Sequence, residues 1–175
     1  ELANDLQSFT EDEPDSATRY VLFNEAIKLY LKTEDIENTF GTIDKLHRAF
    51  PEEDPLKYKY YGLKKIAERM PSGTKSRQAY QALEPHFKTL LDVAIKKDAF
   101  KWALLIAELN VKLAEKVKDR KAVKATETQL AEVVAHKDAY ASVAAALEVL
   151  VDKPLDAEAN QTVGEWHGFE KQNWP

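Results

Sequence analysis

Ala94-Ile95-Lys96-Lys97-Asp98-Ala99-Phe100 is where one helical pattern ends and another begins, and its reading decides the fold. A near copy follows at Val134-Ala135-His136-Lys137-Asp138-Ala139-Tyr140. In each, a small residue closes an apolar stripe, Lys97 or Lys137 suits the carbonyl-rich end of a first helix, and Asp98 or Asp138 is placed to cap a second. A blurred third copy is Leu31-Lys32-Thr33-Glu34-Asp35-Ile36. The organising unit is a helix, a very tight turn and a second helix, used at least three times.

Outward from these turns, apolar residues at helical spacing predict helices over about 16–32, 35–50, 55–70, 75–97, 99–118, 120–136, 139–152 and 157–168. Leu2, Leu6 and Phe9 share one face of a further helix at the start. An acidic linker, Glu11 to Asp15, precedes the first long helix, and Asp15 or Ser16 can cap it. Pro51, Pro71-Ser72-Gly73 and Lys153-Pro154 supply stops, Asp54-Pro55 and Asp156 supply starts, and Pro85 predicts a kink or break near Gln81 to Glu84. The helix over 99–118 is apolar nearly all round, from Phe100 to Ala114, and belongs at the centre. The resulting hairpins are about 16–50, 75–118 and 120–152, with an extra helix at 55–70 and the start of a further repeat at 157–175.

Composition agrees. The 175 residues suit one domain or one stack of repeats, and five Gly with seven Pro are too few for a turn-rich β-protein. A net charge of -5 argues against a broad nucleic-acid footprint. Zero Cys excludes disulfides, thiolate metal sites and a cysteine nucleophile. There is no signal-peptide pattern and no spanning run, so no membrane insertion is expected. The ends, Glu1 and Asn173-Trp174-Pro175, suggest a domain excised from a longer protein.

Asp35 to Pro51 spans sixteen residues, Asp138 to Pro154 spans sixteen again, and Gly164 follows ten later. This spacing resembles the tetratricopeptide repeat, with Tyr30 at the aromatic position of a first helix. The resemblance implies an all-α fold of about eight helices, hairpins stacked as a TPR-like right-handed superhelix or an α/α bundle. Arg19-Tyr20-Val21-Leu22-Phe23-Asn24-Glu25-Ala26, with the Asp35 turn and the Pro154 to Trp174 segment, is also similar to a helical module near the front of large exported proteins of environmental bacteria. That likeness implies export, periplasmic or extracellular, and carries over no assigned activity.

Chemistry-bearing patterns are sparse. His47, His86, His136 and His167 lie on four helices or their ends, without metal-ligand spacing, and structural roles are expected. No Gly-rich phosphate loop or Gly-x-Ser-x-Gly elbow occurs, so neither cofactor nor catalytic site is expected. The run Lys112, Lys116, Lys118, Arg120, Lys121 and Lys124 suits helix ends, where cations oppose the carbonyl dipole. Tyr58, Tyr60 and Tyr61 must leave one or two rings pointing away from the core. The repeat resemblance puts Asn24, Lys28, Lys124 and Glu127 on a concave face, where the family's Lys and Asn can clamp a peptide carboxylate. With Tyr58 and Tyr61 these are the candidate partner-binding residues. The expectation is a non-enzymatic protein- or peptide-interaction module of a larger exported bacterial protein, or alternatively a structural spacer between domains.

Overall fold

The computed structural model describes residues 2–71 and 74–170. These form an all-α fold of eight helices: α1 (Leu2–Asp12), α2 (Ser16–Lys32), α3 (Ile36–Ala49), α4 (Pro55–Arg69), α5 (Thr74–Lys96), α6 (Phe100–Lys116), α7 (Arg120–Asp152) and α8 (Ala157–Glu165), closed by a π-helical turn, Trp166–Glu170. Of the expected breaker Pro71-Ser72-Gly73, Ser72 and Gly73 lie outside the described residues, as does the segment from Lys171 to Pro175.

Most helices begin on an aspartate. Asp15 accepts from the Thr18 amide, Asp35 from Asn38, Asp54 from Leu56, Asp119 from Lys121 and Ala122, and Asp156 from Ala159. Each carboxylate satisfies amides that have no partner within their own helix. Asp98 departs from this expectation. It is the turn residue itself, with φ 53, and Ala99 takes the cap position without a side-chain bond.

Three turns share one geometry. Glu34, Asp98 and Lys118 sit in the left-handed region with φ 58, 53 and 55. The next amide returns to a carbonyl five residues back: Asp35 to Tyr30 at 3.0 Å, Ala99 to Ala94 at 2.9 Å, Asp119 to Ala114 at 3.4 Å. This is the Schellman closure, and it satisfies carbonyls the helix end would leave bare.

Residues 134–140 do not form such a turn. They lie inside α7, a single helix of 33 residues, so the hairpin expected over 120–152 is one helix and Asp138 caps nothing. The run from Ala139 to Ala146 is rich in the best helix former, and neither Gly nor Pro interrupts it. Continuing the helix also carries Tyr140 and Val143 onto Phe100 and Trp166. Pro85 lies inside α5, which runs unbroken from Thr74 to Lys96, so of the kink or break expected there the break does not occur. On α1, Leu2 and Phe9 are exposed and Leu6 is half-buried, and the helix packs on α2, where the Tyr30 hydroxyl reaches Asn4 and Gln7 at 2.6 and 3.0 Å.

Consecutive helices pack in antiparallel pairs, as in Tyr20 of α2 against Phe50 at the end of α3. The even-numbered helices also pack on one another, α2 on α4 and α4 on α6. Their starts meet through Tyr20 with Tyr58 and Trp102 with Asp54. Their ends meet where Arg69 donates to the Leu31 carbonyl at 2.8 Å and Lys116 reaches the Ala67 and Met70 carbonyls at 3.4 and 3.5 Å. Thus α2, α4 and α6 lie parallel in one layer, with α6 touching α4, α5 and α7 as its all-round apolar surface requires. The main core runs from Phe23 in α2 to Val133 in α7.

Candidate functional site

The odd-numbered helices form the second layer, and α3 does not pack along α5 as α2 packs along α4. Between α3 and α5 the layer opens into a groove of about 660 Å³, floored by the first turns of α4. Phe40, Gly41, Asp44 and His47 face it from α3; His86, Thr89, Leu90, Val93 and Lys97 face it from the second half of α5 and its end; Pro55, Leu56 and Lys59 form the floor. The spacings on both walls are helical, three and four residues apart, which aligns each stripe on one face.

The floor carries a cation. Lys59, only 17% exposed, is held by the Asp44 carboxylate at 2.7 Å and lies 5.3 Å from the centre of the Phe40 ring. Paired in this way, its charge is offset where solvent is scarce. At one end of the groove His86 stacks edge-on against Phe40 and its Nε2 lies 3.7 Å from Glu37. At the other end His47 Nδ1 meets the Glu53 carbonyl at 2.8 Å, fixing the ring beside the α4 entry. Two of the four histidines thus stand in the same groove.

Gly41 is the unusual residue of the wall. A Cβ built there meets nothing within 4 Å, whereas one at Gly62 would touch Leu31, Thr39 and Phe40 at 3.6–3.8 Å. Position 62 is therefore packed at ordinary contact distance, whereas position 41 borders open space, and nothing within the described chain requires glycine there. Mid-helix glycine costs about 1 kcal/mol relative to Ala.

Smaller openings repeat the theme. One of about 390 Å³ lies among α1, α2 and the start of α3, and one of about 290 Å³ lies between α5 and α7 above Asn110. Asn110 is buried and accepts from the Tyr80 hydroxyl at 3.1 Å. Burial, followed by the charges of Glu84 and Asp119, pushes the Tyr80 phenol up to about 12, so it stays a neutral donor across the physiological range.

The residues singled out in the sequence fall elsewhere. Asn24 on α2 donates to the Tyr20 carbonyl at 2.8 Å, and Lys28 pairs with Glu25 at 2.6 Å. Lys124 and Glu127 are exposed on α7, in the other layer from Asn24 and Lys28, and α2 and α7 are not among the principal packing pairs of the described residues. Tyr58 bonds to Tyr20, and burial foremost, then the hydrogen bonds to Tyr20 and Glu53, raises its pKa. Tyr61 points away from the core as one ring of that knot had to, 47% exposed, edge-on to Tyr60 and Trp102. Of the basic run, Lys116 serves a helix end, though that of α4 rather than its own.

Among the described residues no three His, Asp or Glu gather as a metal site, and no helix is long and apolar enough to cross a membrane. Comparison with protein-family models, curated proteins and solved structures returns no match.

Proposed function

We propose that the chain is a protein-interaction module that receives a peptide segment of a partner in the groove between α3 and α5. The observation that carries this reading is the groove itself: apolar surface from Phe40, Leu56, Leu90 and Val93, bordered by Glu37, Asp44, Lys59 and Lys97. An apolar trough with a few placed charges is the usual form of a recognition site. A TPR-like stack is supported by the parallel row of α2, α4 and α6 with antiparallel partners between them. Placement in an exported bacterial protein rests on the resemblance of residues 19–26. The non-enzymatic reading rests on the sparse chemistry-bearing patterns of the sequence.

The test is selection of a displayed random-peptide library on the immobilised chain, with Gly41→Trp as the counter-target. Sequences enriched on the native chain and lost on the variant support groove recognition. No enrichment would turn the reading to a rigid spacer, which the end-to-end stitching of α2, α4 and α6 by Arg69 and Lys116 favours.

A further inference from the structure

Accepting that the groove is a peptide site, we infer that its occupant is an amphipathic α-helix of a partner protein, with a cation at the Glu37 end, an acid at the Lys97 end and apolar residues between. The conformation follows from the walls. Both are helices whose backbone groups are already bonded along their own axes, so an extended peptide would lay unpaired amides and carbonyls on apolar surface. A helix brings its polar backbone satisfied and offers ridges at the spacing the walls present.

Gly41 gives the point of closest approach. It is exposed, it faces the groove midway along α3, and the space a side chain would take is empty. A residue that weakens α3 without serving the packing of this chain leaves room for another backbone.

The charge pattern gives the partner's chemistry. Asp44 of the α3 wall and Lys59 of the floor neutralise each other at 2.7 Å. Glu37 remains at one end, 85% exposed beside His86, and Lys97 at the other, exposed and in no ion pair among the described residues. His86 to Lys97 is eleven residues (97 − 86), or about 16 Å of helix, a little over three turns. A complementary helix carries its own opposite charges about eleven residues apart on one face.

Fluorescence anisotropy with three labelled alanine-based helical peptides tests this. All carry the same central leucines; one has a lysine and a glutamate eleven residues apart, one has glutamate at both places, and one has a proline at its centre. The bipolar helix is expected to bind at least tenfold more tightly than the others. Glu37→Lys should reverse the order of the first two, and Gly41→Trp should abolish binding without lowering the unfolding midpoint. Equal affinity for the charged pair, or undiminished binding of the proline peptide, would overturn the inference while leaving a peptide site standing. Failure of every peptide here and in the library selection would remove both. Concentration-dependent self-association that Gly41→Trp abolishes would assign the groove to a second copy and also overturn it.

Discussion

Lys118 shows what the tight turns demand of single residues. A non-glycine residue in the left-handed region costs about 1–2 kcal/mol, and Lys118 bears this at φ 55 with an exposed side chain. Glycine would relieve that strain but widen the unfolded ensemble by about 0.4–1 kcal/mol, so Lys118→Gly is expected to stabilise by about 0.5–1 kcal/mol in urea unfolding. A loss of stability would mean that the lysine side chain contributes more than the backbone does. Asp119, the next residue, carries a pH signature. Its hydrogen bond from the Ala122 amide, then that from Lys121 and the nearby Arg77, holds its carboxyl below the ordinary value of 3.8. A depressed native pKa means the unfolded chain binds the proton first, so this stabilisation is full above about pH 4 and is lost as pH falls through the native value. Asparagine also caps but does not titrate. The stability difference between the native chain and Asp119→Asn, followed by urea unfolding from pH 7 to pH 2, should therefore shrink on acidification; a constant difference would show that the charge is not what the cap uses.

At the scale of elements, α7 is the helix whose sequence admits two structures. Lys137-Asp138-Ala139 could end one helix and cap another, or run through an uninterrupted one, and the structure takes the second course. Ala139→Pro distinguishes them. Proline at the first position of a new helix would be close to neutral, whereas in the interior of α7 it should cost about 3 kcal/mol. Urea unfolding monitored by circular dichroism reads the difference, and a near-neutral result would restore the turn. The case also shows what was legible. The starts of α2, α4 and α8 could be read because each couples an aspartate cap to a nearby stop or linker, a local signal. At 138, as at 35, the aspartate stands without such a stop, and the outcome depends on Tyr140 and Val143 reaching Phe100 and Trp166, contacts that periodicity does not display. The groove was illegible for a similar reason. Glu37 and His86 are remote in the chain, as are Phe40 and Lys59, and they meet only because α4 runs between α3 and α5. The one local hint was Gly41, a poor helix former between Phe40 and Asp44 on a stripe that otherwise suits a helix.

The whole molecule is unevenly built, and that unevenness predicts how it opens. From α2 to the first half of α7 one continuous core joins every helix, with Ile43, Leu46, Leu63, Phe87, Leu91, Ile106 and Val133 almost wholly buried. Beyond Val133 the second half of α7 and α8 share a smaller cluster of Phe100, Val143 and Trp166, with Tyr140 and Val163 packed beside it. Leu147, Val149, Val151 and Leu155 are exposed there, and the buried Trp166 Nε1 has no acceptor among the described residues. Little apolar area is withdrawn from water in this part, and an unsatisfied buried donor counts against the closed form. Local opening should therefore cost less there than unfolding of the main core. Native-state hydrogen exchange is expected to show amides from about 143 to 165 exchanging at lower free energy than those of α6. Phe100→Leu should widen the gap, because it removes the ring that Tyr140 and Trp166 share while leaving α6 in contact with α4 and α5. If both regions exchange at the same free energy, and the substitution lowers them together, the two clusters unfold as one unit and the long α7 is what couples them.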